Sequence, residues 1–218
     1  MDLLKKIIGW TPQLLSGAKI TILLTLCSVV AGLILGIILA LGSMSKSKIL
    51  RGLSKAYVFF FRGTPLLMQL YFVYYGLPEI SRALTINNKF FAAFIAFGLN
   101  SGAYCSEIFR SAIQSIDKGQ FEAGKVLGLS YLQTMKLIIL PQSIRRLIPP
   151  VGNEFIMMLK DASLVSIIAL ADITKVTRSI QSSTASSLVY IPAMILYLII
   201  TAVFTLLFHW LEKKNTYE

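Results

Sequence analysis

The sequence predicts an all-α integral membrane protein with five membrane-spanning helices, the N-terminus outside and the C-terminus in the cytoplasm. Three observations carry this expectation. Of 218 residues, 56% are apolar and only 14% charged, where a soluble domain carries roughly 25% charged residues. Five apolar stretches each reach the ~20 residues that cross a bilayer. Lysines and arginines concentrate on alternate connections, which sets the orientation. The length suits a single domain over 1–218.

The first residues, MDLLKKIIGWTPQLLSG, place Leu3, Leu4, Ile7 and Ile8 on one helical face beside Lys5 and Lys6. That pattern predicts a short interfacial helix with Trp10 at headgroup level. Span one runs from Ala18 to Leu41. It is too long for a signal-peptide core and has no convincing cleavage site, so no cleaved leader is expected. Gly32 and Gly36 on it form a small-xxx-small pair suited to helix packing. The next connection carries Lys46, Lys48, Arg51 and Lys55.

Span two runs from about Tyr57 to Leu77, and Arg62–Gly63–Thr64–Pro65 is expected to kink it near its cytoplasmic end. Span three runs from about Phe90 to Ile113, span four from about Ile138 to Leu159 or a little beyond, and span five from about Leu188 to Trp210. Lys118, Lys125 and Lys136 follow span three and Lys213 and Lys214 end the chain, so these regions belong in the cytoplasm with Lys46–Lys55. Lys5, Lys6, Arg82, Lys89, Lys175 and Arg178 fall on the other side.

The segment from Ile116 to Leu137 is then cytoplasmic. Leu127, Leu129, Leu132 and Met135 continue an apolar stripe at helical spacing, while Glu122, Lys125, Gln133 and Lys136 are polar. Such a helix suits a groove on the membrane face or on a partner; a re-entry helix with no partner is the alternative. Gly128 predicts a turn between two short helices, since a glycine inside a helix costs about 1 kcal/mol relative to alanine. Pro141 is expected in the first turn of the next span, where its missing N–H is tolerated.

The net charge of +11 would suit nucleic acid, but the basic residues sit at segment ends, as membrane topology requires. Cys27 and Cys105 lie within apolar spans and give no disulfide, redox or metal signal. His209 is expected at the interface beside Trp210, and no metal site is expected.

Glu122, Ala123, Gly128, Ile138, Leu140 and Pro141 carry a resemblance to the Glu-Ala-Ala loop of ABC importer permeases. Gly124 departs from that pattern at its second alanine but remains small. The stretches from Phe61 to Pro78, Ala103 to Gly128 and Asn153 to Ile168 resemble the polar amino acid branch of the same family. The resemblance spans Ala18 to Trp210. It implies a type I ABC importer transmembrane subunit for amino acids in the inner membrane of a prokaryote. It also implies a coupling helix within about 116–137, in which Glu122, Ala123, Gly124, Gly128 and Leu129 meet the ATP-binding subunit. A second permease subunit, identical or paralogous, and an extracytoplasmic substrate-binding protein complete the implied assembly. The chain has no Gly-x-x-x-x-Gly-Lys-Ser/Thr motif, so ATP and Mg²⁺ are expected on the partner. The chain is then no enzyme and carries no cofactor.

Ionisable groups inside spans are candidate functional groups because each costs a few kcal/mol. At 1.5 Å per residue, Asn100 and Glu154 reach similar mid-membrane depth on spans three and four. Asn100, Tyr104 and Glu107 share one helical face, and Glu154, Met158 and Asp161 share another. Asn100, Tyr104, Glu154 and Asp161 are therefore the candidate substrate contacts. Interhelical hydrogen bonding remains an alternative for Asn100, as helix-end capping does for Asp161. Glu107 is expected to pair with Arg110, one turn on. Asp172 lies near a span end, within reach of water. No basic residue lies one turn from Glu154, and this points to a basic amino acid such as arginine, lysine or histidine. Glutamine or another polar amino acid is the alternative. A secondary transporter would show more spans or a repeat, and a membrane enzyme would show a metal spacing or a nucleophile–base pair; neither is found.

Overall fold

A computed structural model describes residues 2–215, with side chains from Lys6 to Lys214. It contains helices and no strand among the described residues. Helix α1 runs from Asp2 to Ser43 without a break. The N-terminal segment is thus not a separate interfacial helix, because nothing between Lys6 and Ala18 interrupts the ladder except Pro12, which the helix absorbs. The side chains of Leu3, Leu4 and Lys5 lie outside the described residues. Trp10 is not at a headgroup surface: it is 8% exposed and packs with Leu14, Ala18, Ile173 and Ile180.

Helix α2, Lys48–Gly63, follows α1 after a four-residue connection, with the Ser47 hydroxyl accepting from Leu50 N–H. It already occupies most of the segment read as a connection. It stops at Thr64–Pro65, as the kink prediction required. Proline has no N–H to give the Phe61 carbonyl and disfavours helical geometry at the residue before it. The chain resumes as α3, Leu66–Tyr71, passes through a π-helical turn at Phe72–Gly76 and ends as α4, Leu77–Ile80. Helix α5, Lys89–Gln114, starts at an Asn88 cap and spans the bundle.

Helix α6, Lys118–Val126, and α7, Tyr131–Thr134, enclose the turn expected at Gly128. Span four starts earlier than predicted. From Tyr131 the helix continues through a π-helical turn, Met135–Ile139, into α8, Leu140–Asp161. Pro141 is therefore inside a continuous helix rather than at its start. The wide turn just before it relieves the proline's clash and missing bond.

A 3₁₀ stretch at Ala162–Ile168 and a left-handed Ala169 lead to α9, Ile173–Thr184. Hydropathy passes over this helix because it is too short and polar for a span, although Asp172 followed by Ile173, Val176 and Ile180 at helical spacing marks it locally. Its N-cap, Asp172, does not reach water: it is 0% exposed and accepts from Thr174 and Lys175 N–H, each at 2.9 Å. Gly17 of α1 allows this cap to seat, since a Cβ there would lie 2.8 Å from the Asp172 carbonyl. Helix α10 runs from Tyr190 to Asn215. His209 is exposed on it, 3.5 Å from Glu212.

By length and composition alone, residues 6–43 and 187–214 are apolar and helical enough to cross a membrane. The other long helices mix apolar residues with charges, prolines and small polar residues. Asn100, Ser101, Ser106 and Glu154 on them are buried, while Val30, Ile34, Ile38, Leu198 and Leu206 are more than half exposed on α1 and α10, an apolar belt of the kind that meets lipid.

The central seam joins α1 to α5. Lipid tails are as apolar as leucine, so close packing of small residues holds such helices together. A Cβ on Gly32 would lie 2.6 Å from Ser101 Oγ, and one on Gly36 2.6 Å from Cys105 Cβ, as the small-xxx-small pattern predicted. Both cysteines are free thiols.

Candidate functional site

The break in α2–α3 builds one wall of the site. The Phe61 carbonyl, left without a helical donor by Pro65, accepts from Asn100 Nδ2 at 3.0 Å and from Gln69 Nε2 at 2.9 Å. The Asn100 amide also donates to Gln69 Oε1 at 2.9 Å. Both hydrogens of Asn100 thus fix α5 against the broken helix, the interhelical role weighed for it.

Behind this junction lies a cavity of about 410 Å³. Asn100, Tyr104, Glu154 and Asp161 all line it, with Arg62 and Met158. The structure therefore brings the four candidate substrate contacts together. Glu154 is 6% exposed and accepts from Ser101 Oγ at 2.8 Å. Gly32 presses on that serine, so the α1–α5 seam sets the position of the hydroxyl that orients Glu154.

Arg62 corrects the picture of Glu154 as a carboxylate without a basic neighbour. It comes from α2, 92 positions away in sequence, and lines the same cavity. Spacing along one helix does not detect such a partner, and the Arg-Gly-Thr-Pro motif was read only as a kink. The guanidinium carbon lies 5.2 Å from the centroid of the Tyr104 ring, a cation–π distance. Its Nη1 is 4.0 Å from Glu107 Oε2. Glu107 is held chiefly by Arg110, whose Nε donates to both carboxylate oxygens at 3.1 Å and whose Nη2 reaches Oε2 at 2.5 Å. Chemically, the cavity offers two carboxylates and one guanidinium, a set that can hold a small zwitterion with an additional positive group.

At the α6 end, local chemistry dictates a rigid hook. Helix α6 ends in a Schellman motif: Gly128 N–H donates to Lys125 O at 3.0 Å and Leu129 N–H to Gly124 O at 2.9 Å. This needs a left-handed residue, and Gly128 has φ +72°. Ser130 and Gln133 then form a reciprocal capping box that starts α7. Gly124 is buried against Thr134; a Cβ there would lie 2.6 Å from Thr134 Oγ1. Its departure from alanine is thus demanded by the fit of α6 on α7. Glu122, Ala123 and Gly128 are exposed and Leu129 is half-buried. Val126, Leu127 and Leu132 are 86%, 73% and 77% exposed, an apolar patch on the outer face of the hook.

Among the described residues, no group of three or more His, Cys, Asp or Glu could hold a metal ion. A helical bundle with an apolar belt, a charged internal cavity and a capped hook with an exposed apolar patch at one end suits a membrane transport domain. Residues 32–217 match the family of binding-protein-dependent transport system inner membrane components, and the chain belongs to that family. It is 41% identical over 205 residues to the L-cystine transport system permease protein TcyB of Bacillus subtilis (strain 168), covering 93% of this chain and 86% of the relative. It is 37% identical over 206 residues to the arginine transport system permease protein ArtQ of the same organism, covering 93% and 92%. Another relative is named for glutamine transport. The crystal structure of an amino acid ABC transporter with histidines superposes with a TM-score of 0.92 at 37% identity, covering 98% of this chain and 99% of that one. The chain is therefore a permease subunit with the type I ABC importer fold, the membrane component of an amino-acid ABC importer, and ATP hydrolysis resides in a separate subunit.

Proposed function

We propose that this permease moves basic amino acids (arginine, lysine or histidine) inward across the inner membrane of a prokaryote. The observation that carries the proposal is the pairing of Glu154 and Asp161 on one cavity faced, among the described residues, by one cation, Arg62. An amino acid with a cationic side chain brings two positive groups and one negative group, and matches that set. A neutral amino acid would leave one buried carboxylate without a partner, which is costly in a low-dielectric interior. Cystine, named in the 41% identical relative, brings two ammonium groups for the two carboxylates but also two carboxylates for one guanidinium, and is the second reading. Glutamine is the neutral alternative.

The test is Glu154→Gln in the assembled transporter, with substrate-stimulated ATPase measured for arginine, cystine and glutamine. Loss of a charge-assisted hydrogen bond is worth about 1.5–3 kcal/mol. Arginine stimulation should therefore weaken roughly ten- to a hundredfold while any glutamine response stays as in the parent. Equal responses to arginine in variant and parent would remove Glu154 as a charge reader. Stimulation by cystine alone would favour the second reading.

The chain acts on this proposal as one permease domain over 1–218, with five spans, its N-terminus outside and its C-terminus in the cytoplasm. Residues 116–137 form the coupling segment. Its exposed face, with Glu122, Ala123, Gly128 and the half-buried Leu129, seats on the ATP-binding subunit that holds ATP and Mg²⁺, while Gly124, expected in that contact, is buried and instead holds α6 on α7 from behind. A second permease copy or a paralogue completes the pathway, and an extracytoplasmic binding protein delivers the substrate. In a variant lacking Cys27 and Cys105, a cysteine at position 118 should resist a membrane-impermeant thiol reagent in intact cells, and one at position 82 should react. Reaction at 118 from outside would reverse the topology.

A further inference from the structure

The central cavity continues toward the α6 end. Arg62 and Tyr104 line it and also line a second cavity of about 480 Å³ with Lys55 and Glu107. Lys55 and Glu107 in turn line a third cavity of about 980 Å³, which also holds Arg51, Arg110 and Lys118 beside α6. The three cavities share walls and lead from Glu154 to the hook.

The charge along this series is one-sided. Arg51, Lys55 and Arg62 lie four and seven residues apart on α2 and so form one stripe. With Arg110 and Lys118 they place five cations on the two outer cavities, against one carboxylate, Glu107, among the described lining residues. That carboxylate is engaged by Arg110 on both oxygens. Along the helix axis, successive cations of the stripe are about 6 and 10 Å apart at 1.5 Å per residue. That is no more than about one screening length, ~8–10 Å at cellular ionic strength. An anion moving along the stripe therefore remains within the field of at least one cation throughout.

An amino acid carries one group that this route attracts. Its ammonium and any cationic side chain are favoured at Glu154 and Asp161 and repelled further out. We propose that Arg62, Lys55 and Arg51 form a carboxylate track, along which the substrate leaves the central cavity with its α-carboxylate leading toward the α6 end. The track makes the α-carboxylate, rather than the side chain, the group read during release. It rests on the amino-acid reading above and on the α6 end facing the cytoplasm; it favours release of a zwitterion most, and a cationic side chain, repelled by the same stripe, weakens it.

The test uses the complete transporter, with its ATP-binding subunit and binding protein, in liposomes, and an amino acid that the parent imports. Arg51→Gln with Lys55→Gln removes two cations that do not line the central cavity. Its maximal uptake rate should fall about tenfold, the low end of what electrostatic guidance supplies, while KM stays within twofold of the parent. Uptake by the parent should also slow as salt rises on the α6 side, and the neutral variant should lose that dependence. The charge-conserving pair Arg51→Lys with Lys55→Arg should keep both the rate and the salt response. A neutral variant with the parent's rate and salt response overturns the track. So does an equal loss in the neutral and charge-conserving variants, which marks a packing role. Failure of the Glu154→Gln test with a positive result here would remove the basic-substrate proposal and leave the track standing. A parent that imports no amino acid overturns both.

Discussion

Valine at position 124 should stop ATP-driven uptake almost completely while leaving the permease inserted and folded. Gly124 is the point where α6 meets the start of the long helix, and a Cβ there would lie 2.6 Å from Thr134 Oγ1 and 2.8 Å from Cγ2. A valine adds two further methyl groups to that clash. Overpacking of this kind costs about 1–3 kcal/mol, and lifting α6 away from α7 is the least disruptive relief. The proposed coupling contact would then be displaced as a body. Uptake should fall more than tenfold, and ATP hydrolysis should no longer respond to substrate. Gly124→Ala should show a milder loss, and combining it with Thr134→Ala should restore much of it, because the two closest atoms are then gone. Normal coupling in Gly124→Val would show that the seat of α6 does not matter to transport. Loss of the protein from the membrane would place the effect in folding instead.

Valine at Gly32 should cause a large loss of stability. A Cβ there would lie 2.6 Å from both Cβ and Oγ of Ser101 and 3.0 Å from its backbone carbonyl carbon. The backbone contact means that no rotamer change suffices, so α1 and α5 must separate along a seam that packing alone holds together. The destabilisation should reach or exceed the roughly 1–3 kcal/mol typical of overpacking. The effect should also reach the cavity, because Ser101 donates to Glu154. Thermal unfolding in detergent should therefore shift down, and the surviving folded fraction should respond poorly to substrate. Gly9→Ala is the control, since nothing lies within 4 Å of a Cβ there. An unchanged melting temperature in Gly32→Val would contradict the seam.

What the sequence made legible follows the range of the forces involved. Sustained apolar runs marked the middles of α1, α5 and α10. Local rules marked the Thr64–Pro65 break, the turn at Gly128 and the Glu107–Arg110 pair, because each depends on residues within about one turn. Depth counted along two helices was enough to bring Asn100, Tyr104, Glu154 and Asp161 to one cavity. The failures came where a partner is distant in sequence. Trp10 and Asp172 looked interfacial until α9 covered them, and Arg62 looked like part of a kink until α2 brought it to Glu154. The true start of the span-four helix was hidden by Pro141, which signals a helix start when the π-helical turn before it is not foreseen.

The unbroken helix from Tyr131 through Asp161 makes the hook and the central cavity two ends of a single lever. Tyr131 and Glu154 are separated by 23 positions, which corresponds to an arm of about 35 Å at 1.5 Å per residue. Tilting such an arm by about 10° around its hook end would carry Glu154 sideways by about 6 Å on the same geometry. That sweep is about twice the length of the hydrogen bond between Ser101 and Glu154. A rotation of that size would pull Glu154 and Asp161 away from the wall formed by Asn100 and Arg62.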